Sequence, residues 1–202
     1  FNATGMAVSN IGAKPIFCDI KKDTLCLDPD WIIRNKSKRV KAVIVVYFAG
    51  LIPPDIELIK KICKERNYIL IEDAAHAHGS KYKDKPAGNF GDTACFSYYP
   101  TKILTTGEGG MVVTNREDLK TVLRSYQFRG QDLDLSGEQF LRPYGRNIRL
   151  PELSALMGVL QYNRLNDYIN KRRIVAEIYN NLIGKEELLF IPKPSSYSFH
   201  SY

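Results

Sequence analysis

The 202 residues are 44% hydrophobic and 25% charged, an ordinary composition for a globular chain with one sizeable core, which sets disorder aside. No run of about eighteen apolar residues occurs. The opening FNATGMAVSN lacks the basic start and long apolar core of a secretory leader, so the default expectation is a cytoplasmic protein with no membrane segment. The net charge of +7 comes without any nucleic-acid-binding signature, and its cations, such as Lys60, Lys61, Lys64 and Arg66, fall on helix-like segments. They read as solvated faces, and a phosphorylated or acidic small molecule would also suit the excess.

In chain order, KPIFCDI (14–20) reads as a strand and DPDWIIRN as a helix, with Asp28 at the N-cap and Pro29 in first position. KAVIVVYF (41–48) is the next strand. Pro53 and Pro54 open a helix with its apolar stripe at Ile56, Leu58, Ile59, Ile62 and Cys63, ending near Asn67 ahead of the strand YILIE (68–72). Nearly continuous apolar strands alternating with helices predict an α/β fold, a mostly parallel sheet sandwiched by helices.

DTACFSYY (92–99) and GMVVTN (110–115) are further strands joined by a short connection, so the simple alternation stops there. A helix follows from about Glu117 to Phe128, then a long, polar, Gly-containing loop over 129–150. From Pro151 to about Leu182 the helical period predicts one long bent helix or two in tandem. The four cysteines form no C-x-x-C pair and read as reduced core residues.

The stretch IEDAAHAHG (71–79) sets two acids and two histidines close together. As a metal site it is unfinished: in an extended chain His76 and His78 share one face while Asp73 points to the other, and His200 is remote. No metal is expected. The plainest reading has Asp73 capping the following turn and the histidines packing. The second stretch, FSYYPTKILTTGEGG, changes the balance. Lys102 lies 29 residues after Asp73 and five after Ser97, in a turn beyond a strand. Ligands of open α/β sheets collect beyond the carboxyl ends of strands. An amine for a Schiff base, a carboxylate for a pyridine nitrogen and a hydroxyl are the parts of a pyridoxal phosphate (PLP) site.

The blocks GAKPIFCDI, IEDAAHAHGSKYKDKPAGNFGD, CFSYYPTKILTTGEGGMVVTN and GRNIRLPELSALMG followed by RLNDYINKRRIVAEIYN resemble, in this order, the sugar-nucleotide aminotransferases of the StrS/DegT type, within the fold type I PLP enzymes. The resemblance implies that Lys102 is the Schiff-base lysine, Asp73 the partner of the pyridine nitrogen and Ser97 a phosphate-binding hydroxyl. His76 falls near the ring's phenolic oxygen, and Phe1 aligns with an aromatic that stacks on the ring. Asn147 matches a residue that reaches the phosphate of the other subunit's cofactor, which implies a homodimer with shared sites. Arg149 is a candidate for a substrate carboxylate, and His78 carries no assigned contact.

The implied reaction moves an amino group, glutamate being the expected donor, to a nucleotide-linked keto sugar. Dehydratases of the same fold replace the lysine, so Lys102 argues against that alternative. A non-catalytic protein sensing PLP or a sugar nucleotide is the other. Residues 1–184 correspond to the PLP-binding large domain, with 151–183 as its connecting helical region, and 185–202 to the start of a smaller C-terminal domain. Relative to that family the Ser-Gly-Thr phosphate turn expected upstream of Phe1 is missing, so a fragment of a longer enzyme is expected.

Overall fold

The computed structural model describes residues 1–133, 139–141 and 143–183. The described chain runs α1 (Asn2–Asn10), α2 (Pro29–Arg34), β1 (Ala42–Val46), α3 (Ile56–Arg66), β2 (Ile69–Asp73), β3 (Lys81–Tyr82), β4 (Lys85–Pro86), β5 (Thr93–Ser97) and β6 (Gly110–Val113). It continues with α4 (Glu117–Gln127), β7 (Gln131–Leu133), β8 (Gln139–Leu141), α5 (Glu152–Tyr162) and α6 (Leu165–Ile183).

The central sheet has the order β1-β2-β5-β6. β1 with β2 and β2 with β5 are parallel, and β5 with β6 is antiparallel. That last pairing explains why the alternation failed in the sequence: the connection carrying Lys102 returns directly, without a crossover helix. The core lies where Val43, Val45, Leu70 and Ala94 of the sheet meet Ile32 of α2 and Ile56, Ile59, Ile62 and Cys63 of α3. On α3 the buried residues share one helical face; Leu58 falls off it and is exposed.

Local chemistry sets the helix ends. The Asp28 carboxylate accepts from the Asp30 N–H, with Pro29 in the first turn, as the sequence predicts. Asn67 ends α3 in the left-handed region, φ 54°, where asparagine is tolerated better than most residues.

Other expectations change. The 14–20 segment forms no ladder among the described residues, only a bridge between Ile20 and Leu27, and Ile16 and Phe17 are exposed. β propensity needs a partner strand to act on, and among the described residues this segment has none. α1 goes unread in the sequence because NATGMAVSN lacks an apolar stripe, and the helix buries no residue. The 129–150 loop contains the hairpin β7–β8. The tandem alternative holds for 151–183, with α5 and α6 separate. Cys26 and Cys63 are core thiols, but Cys18 is half-buried and Cys95 exposed, so the all-core reading is too broad; all four are free. No described helix is long and apolar enough to cross a membrane. Residues 185–202, assigned from sequence to a second domain, lie outside the described residues.

The Glu72 side chain is fully buried on β2. One oxygen accepts from the Phe90 N–H (2.7 Å) and Gly91 N–H (2.6 Å), the other from the Gly88 N–H (2.6 Å) and Tyr47 O–H (2.8 Å). Gly91 is required for this approach, because a Cβ there would come within 2.6 Å of the Leu70 carbonyl oxygen. Burial, then the neighbouring Glu72 charge, drives the Tyr47 phenol pKa far up, so Tyr47 stays a donor.

Removing this acceptor orphans three N–H groups and one hydroxyl. Glu72→Ala is therefore expected to lower stability by about 3 kcal/mol, read as a fall in the urea midpoint. Glu72→Gln should cost less, since its amide oxygen still accepts from the Phe90 and Gly91 N–H groups and Tyr47 can turn its hydroxyl to accept from the amide, which leaves the Gly88 N–H as the one orphan. Equal midpoints for wild type and Glu72→Ala would refute this role.

Candidate active site at the strand ends

The parallel register aligns Val46, Asp73 and Cys95 across β1, β2 and β5, so the three strands finish near one level. The ladder extends slightly further, with the Tyr47 N–H donating to the Asp73 carbonyl and the Ala74 N–H to the Cys95 carbonyl. This edge is where the sheet's chemistry is expected. Glu72 and Asp73, as neighbours on a strand, face opposite sides. Glu72 enters the core, whereas Asp73 is half-buried.

The Asp73 carboxylate has two donors, the Thr4 hydroxyl of α1 on Oδ2 (2.7 Å) and the Ala75 N–H on Oδ1 (3.3 Å). Lys102 is half-buried in the turn after β5, its N–H donating to the Tyr99 carbonyl at 2.9 Å. Burial lowers the Lys102 pKa from the ordinary lysine value, and the Asp73 charge opposes that shift. The amine and the carboxylate are thus electrostatic neighbours across the ends of β2 and β5.

The connection that presents Lys102 is closed upon Tyr98. The Thr106 N–H and Thr105 hydroxyl both donate to the Tyr98 carbonyl, and the Tyr98 N–H donates to the Gly109 carbonyl. From α5, Gln161 Oε1 accepts from the Thr105 N–H at 3.0 Å. Gly109 sits at φ 152°, and a Cβ there would meet the Thr106 hydroxyl at 2.6 Å. Gly109 is therefore a conformational requirement of the turn.

Ser97 ends β5 half-buried, its Oγ accepting from the Tyr99 N–H at 3.3 Å. His76 is half-buried against Phe48, with ring centroids 6.4 Å apart. Its pKa is lowered by burial first and by Lys102 next, with Asp73 opposing. His78 is buried between the rings of Phe96 (5.4 Å) and Tyr98 (5.7 Å), and neither ring nitrogen has a hydrogen bond of normal geometry. Burial, then Lys102, lowers its pKa to about 4, with the Ser97 backbone opposing. Packing, the role left to His78 by the sequence, is what its surroundings provide.

Asp73, His76, Ser97 and Lys102 thus come together at one edge. Phe1, at the N-cap of α1, has its ring fully exposed. Asn147 and Arg149 are exposed beyond the β7–β8 hairpin. Their polar contact is with each other, Arg149 Nε donating to Asn147 Oδ1 at 3.1 Å, while the Arg149 guanidinium lies 4.8 Å from the Phe128 ring centre. Arg149 also lines a small pocket with Glu108, Gly109 and Gly110 of the connection that carries Lys102. Among the described residues no three His, Cys, Asp or Glu side chains converge as metal ligands. Thr4 and Gln161 were not read from the sequence, since a lone hydroxyl or amide carries no spacing signal.

A protein-family model described as the DegT/DnrJ/EryC1/StrS aminotransferase family matches residues 1–202. The chain belongs to this aminotransferase family. A similar member is the GDP-perosamine synthase of Escherichia coli O157:H7, 38% identical over 196 residues, covering 97% of this chain and 52% of that protein. Another is the dTDP-3-amino-3,4,6-trideoxy-alpha-D-glucose transaminase of Micromonospora megalomicea subsp. nigra, 34% identical over 177 residues, covering 87% of this chain and 46% of that one. Among solved structures, Helicobacter pylori PseC, an aminotransferase involved in the biosynthesis of pseudoaminic acid, superposes with a TM-score of 0.90 at 28% identity, covering 99% of this chain and 54% of PseC. The chain spans about half the length of the curated relatives it matches. The α/β fold with its mostly parallel sheet is that of the family's solved aminotransferases.

The buried imidazole of His78 makes stability depend on pH with a definite sign. Its folded pKa, about 4, lies below the ordinary histidine value of 6.5, so the unfolded chain binds the extra proton first as pH falls. Stability should fall between about pH 6.5 and 4, by up to about 3 kcal/mol from this group. Urea midpoints measured across that window should flatten in His78→Phe relative to wild type; parallel curves would show that His78 titrates normally.

Proposed function

We propose that residues 1–184 are the cofactor-binding domain of a PLP-dependent aminotransferase acting on a nucleotide-linked keto sugar, with glutamate as amino donor. The observation that carries this reading is the half-buried Lys102 in the turn after β5, near enough to the Asp73 carboxylate at the end of β2 for that charge to act on its amine. The donor set fits PLP: a partly desolvated amine, an anchored carboxylate and the Ser97 hydroxyl. When bound, PLP supplies an electron-accepting ring that stabilises negative charge at the carbon bearing the amino group.

Lys102 would hold the cofactor covalently and, once displaced, use Nζ to take the proton from that carbon and return it at the acceptor position. Partial burial serves this role, since it enlarges the neutral fraction of an amine that in water is almost wholly protonated. Asp73 would keep the ring nitrogen protonated through direct charge pairing. Ser97 would bind the phosphate, His76 would lie by the phenolic oxygen and Phe1 would cover a ring face. Arg149 would meet a substrate carboxylate.

Asn147 would complete the site of a second subunit in a cytoplasmic homodimer. Two features support a shared site. α5 leaves Leu153, Leu156, Val159, Leu160 and Tyr162 exposed, an apolar face suited to a self-complementary interface. The same helix holds the Lys102 connection through Gln161, so a subunit covering α5 comes beside the site.

Borohydride reduction of the full-length protein with PLP should fix the pyridoxyl group on Lys102, and peptide mass mapping reads the position. Lys102→Ala should lose about a hundredfold to ten-thousandfold in turnover. Label on another residue, or none with PLP bound, would sink the assignment.

The shared site is tested by mixing. Lys102→Ala and Asn147→Ala proteins, unfolded and refolded together, form hybrids in which one site keeps both residues, so activity should recover towards a fraction of wild type. Hybrids that form without recovery would place the Asn147 role within its own chain.

A further inference from the structure

The first helix bears on the site in a way the assigned residues do not capture. α1 buries none of its residues, and its N-cap has no side-chain hydrogen bond. Most helical stability in proteins comes from packing of an apolar face, and α1 has no buried residue to supply it. What ties the helix to the sheet is chemical and local. Thr4, half-buried, donates its hydroxyl to Asp73 Oδ2 at 2.7 Å, bridging positions 69 apart in sequence. A second contact is steric and looser: Gly5 lies against the Phe17 ring, with room for a Cβ only at 3.1 Å from Phe17 Cζ, and Phe17 is itself exposed.

We infer that Thr4 is a positioning residue: its hydroxyl latches α1 onto the Asp73 carboxylate, fixing the orientation of that carboxylate and the place of the helix that carries Phe1. The inference rests on the proposed function for its consequence, not for its geometry. Between them Thr4 and Ala75 give each Asp73 oxygen one donor, so the carboxylate plane is set from two sides before any ligand arrives. A carboxylate held in this way loses little rotational freedom on meeting a ring nitrogen, which is how preorganisation raises affinity. The hydrogen bond is charge-assisted, the class that contributes most among side-chain pairs. Phe1 lies at the same end of α1, less than one helical turn before Thr4, so a helix that swings away removes both contributions together.

Two measurements on the full-length protein separate the latch from its use. In the first, amide hydrogen exchange over α1 is followed without cofactor in wild type, Thr4→Val, Thr4→Ser, Asp73→Ala and the Thr4→Val/Asp73→Ala double variant. A latch predicts faster exchange in both single variants, no further increase in the double, and wild-type rates in Thr4→Ser, which keeps the hydroxyl. In the second, PLP affinity is measured by equilibrium dialysis. Thr4→Val should weaken binding about tenfold, the scale for a lost hydrogen bond to a charged group. Thr4→Ser should stay within about twofold, and in the Asp73→Ala background Thr4→Val should change little, because the coupling runs through the carboxylate.

Unchanged exchange in Thr4→Val overturns the latch. Equal losses of PLP affinity in the two backgrounds overturn positioning through Asp73. A wild-type protein that takes no PLP onto Lys102 overturns the proposed function and with it the positioning role, while the exchange measurement still decides the latch.

Discussion

The buried carboxylate of Glu72 is the constraint on which the rest of the sheet depends. An ionised carboxylate without partners in the core would cost several kcal/mol. Here both oxygens are occupied, by three backbone N–H groups and the Tyr47 hydroxyl. Those amides belong to residues 88–91, so the carboxylate fastens the segment entering β5 to the middle of β2. Asp92 reinforces the same junction: its carboxylate accepts from the Leu70 N–H while its own N–H donates to the Leu70 carbonyl. With that junction fixed, β5 begins in register with β2, and the ends of the two strands come level.

The alternation of a strand then turns a structural device into a site. Because Glu72 faces the core, its neighbour Asp73 faces the other way, at the last position of the strand. The antiparallel return from β5 to β6 leaves the connection with Lys102 at the same edge, and Tyr98, Thr105, Thr106 and Gln161 hold it in shape. Burial and charge oppose each other there. Desolvation weakens the hold of Lys102 on its proton, and Asp73 strengthens it. The two histidines, both shifted towards the neutral form, add little positive charge beside the amine.

Much of this was legible in the sequence because it rests on local periodicity. β1, α3, β2, β5 and β6 follow apolar patterns that suffice to place them, and Asp28-Pro29 marks α2 through cap chemistry. Asp73 and Ser97 stand at strand ends and Lys102 in the turn that follows, positions that the same patterns identify. What was illegible depends on partners distant in the chain. The 14–20 segment has strand composition but no strand to pair with, and Cys95 lies in an apolar run yet on an exposed face. Glu72 reads as one more acid until the amides of 88–91 are seen around it. Thr4 lies in a stretch with no pattern, and its contact with Asp73 exists only in three dimensions. Asn147 and Arg149 came from family resemblance, and their side chains meet each other beyond the β7–β8 pair, a contact no spacing in the sequence announces.

The central claim is that Asp73 holds the ring nitrogen of a cofactor attached to Lys102. Nitrogen NMR of the full-length protein loaded with PLP labelled at the ring nitrogen tests it directly. A protonated ring nitrogen in wild type, with its resonance moving to the unprotonated position in Asp73→Ala while the label stays on Lys102, is the predicted result. The same resonance in both proteins, or an unprotonated nitrogen in wild type, would contradict the account.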